Sequence, residues 1–420
     1  MNELSAMAKK LAPEIKYSTV TLKIIQALEK DRFVFLTGKA GSGKSHNIRA
    51  LQKHYKSCVV TATTGIASIN VSGETMHSFL CIDILENLTD LKKSDLKNRF
   101  SERYRLMWET LLSLELLIVD EVSMMNKEQL RMVLYRIKDF PNIKVLLVGD
   151  FPQLPPVTGR PLYASKIFTE TFTCVKLRRN HRQKDDMKLQ KVLHEVRNSC
   201  PKADTLKYLK ELETNVVTDA VKLRSKNSVV EEINNEEISK LNTEPFVINR
   251  TITFKHASVD KYVLDGILNN IREPESLLLK IGARVMVTRN SKKYGIYNGD
   301  LATVLDGSGP YKVILKLDRD NRIITLNKSR SQMPVTLGGK KVIGIEYEAF
   351  SLILAYAITI HKSQGMTLAK VDIDCQGIFD RHMFYTALSR AVNSEGIQLH
   401  NTDCLTFRKN LKLKSKWYVK

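Results

Sequence analysis

The sequence predicts an α/β protein with two parallel-sheet domains and a small antiparallel insertion in the second. Three observations predict it. Short, nearly all-apolar runs ("RFVFLTG", "SCVVTATT", "LELLIVDE", "IKVLLVGD") each end in a polar turn, which is how strands buried on both faces of a parallel sheet read. Helical patterns fill the intervals between them. Beyond residue 285, "RVMVTRN", "LATVLDG", "YKVILKLD" and "RIITLN" alternate apolar and polar residues between glycine or asparagine turns, as half-exposed antiparallel strands do.

The elements follow in order. "STVTLKIIQALEKD" carries apolar residues at helical spacing, with Ser18 or Thr19 as the cap. The four apolar strands then place a first domain over residues 1–170. Within it Glu86–Glu109 is polar, mixed in charge and without a clear strand, so an insertion is expected over about 81–109. From Leu177 a second α/β pattern begins, with "AVKLRS" as a strand and "NSVVEEINNEEISKLN" as a helix. "FSLILAYAITIHKSQG" returns to a buried strand. The second domain is therefore expected at 171–284 and 346–405, interrupted by a small barrel at 285–345. The tail at 406–420 includes "RKNLKLKSKWYVK", with six basic residues and no acidic one.

The 420 residues contain 66 Lys+Arg against 45 Asp+Glu, a net charge of +21. Such an excess points to a polyanionic partner, most often nucleic acid. No two of the six cysteines have metal-ligand spacing, which excludes a zinc knuckle and a CxxC redox pair. No apolar run approaches about 18 residues, and "MNELSAMAKKLAPEIK" lacks the apolar region of a signal peptide. A soluble cytoplasmic protein with no membrane partner is expected.

"GKAGSGKS" (Gly38–Ser45) fits the phosphate-binding pattern G-x-x-x-x-G-K-[ST], after a strand and opening a helix. Gly38, Ala40, Gly41, Ser42 and Gly43 would turn backbone N–H groups onto phosphate oxygens, and the helix N-terminus favours their charge. Lys44 would reach the β- and γ-phosphates and Ser45 would ligate Mg²⁺. In "LLIVDEVSMM" two acids end an apolar strand, where a parallel sheet meets its ligand. Asp120 would hold Mg²⁺, and Glu121 would orient and deprotonate the attacking water. In "LLVGDFPQLPPV" the amide of Gln153 can contact both γ-phosphate and water, and Pro155 and Pro156 stiffen the exit. Arg182 in "LRRNHRQ" and Arg390 in "FYTALSRA" are candidates for the positive charge that phosphoryl transfer needs.

"GKAGSGKS", "TATTGIAS", "TMHSF", "IVDEVSMM", "GDFPQLPPV", "RRNHRQ", "ITIHKSQGMTL" and "FYTALSRA" occur in the order of the superfamily 1 helicase motifs. The set resembles the petite-integration-frequency (Pif) family of DNA helicases and is similar to their phage Dda and bacterial RecD-like relatives. The resemblance spans about Phe33 to Val392. It implies two RecA-like P-loop NTPase domains with ATP and Mg²⁺ between them, Arg182 and Arg390 as arginine fingers, and 5′ to 3′ movement on single-stranded DNA. It also implies that the first insertion is a strand-separating wedge and the second an SH3-like barrel. One departure stands out. The Gln that the family usually places ahead of the phosphate loop, where it reads adenine, falls near Thr21 by spacing, and no Gln is there.

A helicase needs a groove that combines phosphate-binding hydroxyls and cations with base-stacking rings. "TATTGIAS" offers Thr63 and Thr64, and "TMHSF" offers Thr75, His77, Ser78 and Phe79. Asn227 sits at a strand-to-helix turn, suited equally to a phosphate contact or a cap. His361 and Lys362, in the polar loop after "AITI", complete the candidate track. The expected activity is an ATP-dependent DNA helicase, acting as a monomer on single-stranded DNA and on tailed or forked duplexes. The alternative is a DNA-stimulated ATPase or remodelling switch that does not unwind.

Overall fold

The computed structural model describes residues 17–63, 74–82, 87–254, 273–289, 291, 293–296, 299–309, 311–337, 340–378 and 380–407. Thr64 and residues 408–420 of the basic tail lie outside them.

The first domain is a six-stranded parallel sheet. Its strands are β1 (Phe33–Gly38), β2 (Cys58–Ala62), β3 (Glu74–Thr75), β4 (Leu116–Asp120), β5 (Lys144–Gly149) and β6 (Thr173–Leu177), in the order β3-β2-β4-β5-β1-β6. The strands read as unbroken apolar runs because both faces are covered. Val34, Leu36, Ile118, Leu146 and Val148 face one layer with Ile24, Ile25 and Leu28 of the helix Thr19–Lys30. Phe35, Leu117, Val119, Val145 and Leu147 face the other, with Leu130 and Val133. Ser18 caps that first helix, its hydroxyl accepting from Thr21 N–H at 3.1 Å. The sheet extends past the expected limit at 170, because β6 pairs with β1 from Val34↔Thr173 to Gly38↔Leu177.

The first insertion is helical, with helices at Leu88–Asn98 and Glu102–Ser113. It runs beyond the expected end at 109, since Leu111 and Leu114 pack into the first domain's core. Arg136 fastens its base. The guanidinium, 3 % exposed, donates to the carbonyls of Leu80 and Cys81 and pairs with Asp95 at 2.7 Å.

The second domain has a parallel sheet of Ala357–Thr359, Val221–Arg224, Val371–Asp374 and Ile397–His400, in that spatial order. Helices Met187–Arg197, Ala203–Glu211 and Arg381–Leu388 share a core with one face of it. Antiparallel pairing is wider than the expected 285–345. It begins with Phe246–Asn249 against Ser276–Leu279 and ends with Leu352–Leu354 against Arg284–Val287. Five strands form its main sheet. In Lys312–Leu317 the residues Val313, Leu315 and Leu317 point inward, the period-2 pattern that the sequence shows. The expected single strand in "FSLILAYAITI" is split: Leu352–Leu354 joins the antiparallel sheet and Ala357–Thr359 the parallel one. No helix among the described residues is long and apolar enough to cross a membrane.

Candidate nucleotide and nucleic-acid site

The phosphate loop leaves β1 at Gly38 and enters the helix Lys44–His54. Gly43, its N-cap, is left-handed at φ 87°. Gly41 is left-handed at φ +76°, and a Cβ there would lie 2.5 Å from Cβ of Arg182. Only glycine fits that combination of angle and approach. Lys44 is buried, and its Nζ donates to the carbonyls of Gly38 at 2.9 Å and Lys39 at 3.2 Å. Burial pushes its pKa down, while Asp150, Glu121 and Asp120 oppose the shift. Ala40 and Ser42 are buried, and Ser42 Oγ has no hydrogen-bond partner among the described residues. Ser45 is exposed in the helix's first turn. Thr21, where the family places its Gln, donates to Asn47 Oδ1 at 2.9 Å and so braces this helix instead.

Asp120 ends β4, and burial together with the adjacent Glu121 charge pushes its pKa up to about 7. Glu121 N–H donates to Asp120 Oδ1 at 2.8 Å. Glu121 itself is left-handed at φ 53°, a strained angle for a residue with a side chain. Gln153 is 2 % exposed, and its Oε1 has no partner among the described residues. Both features fit residues shaped for a ligand rather than for packing.

The second domain closes over this edge. Arg182 Nη1 donates to Ser389 O at 2.6 Å, and burial and the neighbouring Arg390 charge push its pKa down. Arg390 is 1 % exposed. Its guanidinium donates to Thr386 O at 2.8 Å, Met366 O at 3.3 Å and Ser389 Oγ at 2.8 Å. These partners all belong to the second domain, so Arg390 ties the "SQGM" loop to its own helix in this conformation. Gln364, from that loop, donates to Glu121 Oε2 at 3.1 Å.

The expected DNA residues differ in exposure and in hydrogen-bond partners. Thr63 donates its hydroxyl to Glu121 O at 2.8 Å and its N–H to Asp120 O at 3.2 Å, so it braces the acidic pair. Thr75 caps the short helix Met76–Phe79 by accepting from Ser78 N–H. His77 contacts Gln129 at 3.1 Å. Phe79 is 8 % exposed and packs in the first domain's core among the described residues. Asn227 is exposed as the first residue of its helix, and the cap position belongs to Lys226. Ser78, His361 and Lys362 are exposed. Partial desolvation pushes the His361 pKa down, disfavouring the charged imidazole.

Three residues escaped sequence reasoning as site residues: Gln364, Asp150 and Tyr385. Asp150 is fully buried at the end of β5 and pairs with Arg197 at 2.6 Å. Tyr385 donates to its other oxygen at 2.9 Å. The signal was the strand-end position of Asp150, the same position that marks Asp120.

Comparison with known proteins bears on this geometry. A family model described as PIF1-like helicase matches residues 15–213. An ATP-dependent DNA helicase Pif1 of Campylobacter jejuni is 30 % identical over 403 residues, covering 89 % of this chain and 90 % of that protein. The crystal structure of a Pif1 helicase from Candida albicans superposes with a TM-score of 0.78 at 26 % identity, covering 94 % of this chain and 96 % of that one. A Bacteroides Pif1 helicase in complex with ADP-AlF3 and single-stranded DNA does so at 0.68, with 30 % identity and 94 % of each chain covered.

Proposed function

This chain belongs to the PIF1-like helicase family and is an ATP-dependent DNA helicase, and we propose that it moves 5′ to 3′ on single-stranded DNA and unwinds tailed or forked duplexes as a monomer. The single observation that carries the coupling is Gln364 on Glu121. It connects the loop bearing His361 and Lys362 to the acid that would activate water.

Each residue then has a task. Backbone N–H groups of Ala40–Lys44 and the Lys44 ammonium take the β- and γ-phosphates. Mg²⁺ fits the donor set, two hard oxygen donors: the exposed Ser45 hydroxyl in the first turn of the loop's helix and the buried Asp120 carboxylate at the end of β4. Ser45 and Asp120 would hold it, directly or through water, and it would neutralise charge developing on the phosphates. Glu121 orients and deprotonates water, and the free Oε1 of Gln153 accepts from it. Arg182, beside the phosphate loop, is the better-placed finger. Arg390 serves after its ties to Thr386 and Met366 rearrange. Ser78, Thr75 and His77 on one domain, with His361 and Lys362 on the other, grip the strand alternately as the cleft closes and opens. The helices 88–98 and 102–113 act as the wedge, and the antiparallel sheets as the SH3-like barrel.

The test is direct. Lys44→Ala should abolish ATPase activity stimulated by single-stranded DNA, and a 5′-tailed duplex should be unwound in preference to a 3′-tailed one. Unwinding of 3′-tailed duplexes alone would reject the polarity. Stimulated ATPase without any strand displacement would favour the remodelling switch.

A further inference from the structure

Asp150 meets both domains at once. Arg197, from the helix Met187–Arg197, reaches Asp150 Oδ1 with Nη2 at 2.6 Å and Nε at 3.2 Å. Tyr385, from the helix Arg381–Leu388, donates its hydroxyl to Asp150 Oδ2 at 2.9 Å. The same hydroxyl accepts the N–H of Ala40, in the phosphate loop, at 3.2 Å. One turn earlier on that helix, His382 Nδ1 lies 2.8 Å from the carbonyl of Pro152. Asp150 is 0 % exposed, Tyr385 2 % and Arg197 8 %.

The helix that leads to Arg390 is therefore fixed to the first domain at two points, and one of them is the phosphate loop's own backbone. The tyrosine hydroxyl has one hydrogen and spends it on Asp150, while its oxygen satisfies Ala40. A buried carboxylate parted from its guanidinium is strongly unfavourable, and so is a buried N–H without an acceptor. Both are satisfied at one relative setting of the domains and lost together when they separate.

We propose that Asp150 and Tyr385 are positioning residues for ATP hydrolysis: the bridge Asp150–Tyr385–Ala40 sets the Arg390 helix against the phosphate loop when the cleft is closed. This rests on the reading that the cleft hydrolyses ATP. The bridge acts through Arg390 and the loop, and touches no reacting atom itself.

The experiment is a double-mutant cycle on steady-state ATPase, with and without single-stranded DNA. Tyr385→Phe keeps the ring but removes the hydroxyl's two buried hydrogen bonds, to Asp150 and from Ala40, and should lower kcat by about tenfold or more, with KM changed by less than about threefold. Asp150→Asn should lower kcat as well. The double variant should be no slower than the slower single one, because both break one bridge; independent structural roles would multiply. Wild-type kcat in Tyr385→Phe, or multiplicative losses in the double variant, overturns the proposal. A loss confined to KM also overturns it. Wild-type protein that hydrolyses ATP without DNA stimulation would sink the helicase reading, and the cycle is then read on basal turnover.

Discussion

Gln364 donates its side-chain amide to Glu121 Oε2 at 3.1 Å, across the domain interface and 243 residues along the chain. Gln364 is 6 % exposed and Glu121 9 %, so the bond is shielded from competing water. Gln364 follows His361 and Lys362 by three and two positions, so a strand of DNA seated on those two residues is one turn of backbone away from the acid. Gln364→Ala should lower DNA-stimulated turnover by about tenfold, the order of one buried hydrogen bond to a charged group. Equilibrium binding of a labelled single strand should change by less than about threefold. Stimulation equal to that of the unaltered protein would remove Gln364 from the coupling.

His361 and Lys362 should separate by salt dependence. Lys362 is exposed with a cationic side chain, whereas desolvation pushes the His361 pKa down and disfavours a charge on its ring. Lys362→Ala should therefore reduce the slope of log affinity against log salt by about 0.7, the value for one phosphate contact on a single strand. His361→Ala should weaken binding and leave the slope unchanged. Fluorescence anisotropy titrations over a range of salt measure both. A slope change in His361→Ala would show a charged imidazole.

Arg136 holds the inserted helices to the first domain. It pairs with Asp95 and donates to the carbonyls of Leu80 and Cys81 and to the Tyr104 hydroxyl at 3.1 Å. Arg136→Met leaves Asp95 and the two carbonyls without their partner. The expected cost is about 3–5 kcal/mol, read as a fall in the urea unfolding midpoint. Faster proteolysis between residues 87 and 113 should accompany it.

Glu213 predicts an acid limit for the second domain. Its carboxylate accepts the Thr402 hydroxyl and N–H, each at 2.6 Å, and lies 3.0 Å from Lys210. Those contacts, the Thr402 hydroxyl first, lower its pKa from 4.5 to about 2. The folded value lies below the unfolded one. Its contribution is therefore complete above pH 4.5 and disappears as pH falls from 4.5 towards 2. Glu213→Gln should destabilise at pH 7 by about 1 kcal/mol and flatten the pH dependence across that window. Urea midpoints measured from pH 7 to pH 3 on both proteins decide it. Parallel curves would assign the acid limit elsewhere.

The sequence alone determined the parts that depend on local order. The four long strands of the first sheet were legible because burial on both faces forces an unbroken apolar run. Lys44, Ser45, Asp120 and Glu121 were legible because a phosphate loop and a strand-end acid need particular residues at fixed spacing. The antiparallel strands showed their period of two, but their limits did not. Phe246–Asn249 and Leu352–Leu354 join them through pairing with distant partners. Tertiary structure alone decided what each polar side chain faces. Thr63 donates its hydroxyl to the Glu121 carbonyl, and Phe79 packs in the core. "ITIHKSQGMTL" was readable as a loop, yet nothing in its neighbours names Glu121 as the partner of Gln364. Asp150 likewise gains Arg197 and Tyr385 only once two domains meet. Secondary structure follows from neighbours along the chain. A hydrogen bond between residues hundreds of positions apart follows from where the packed elements bring them.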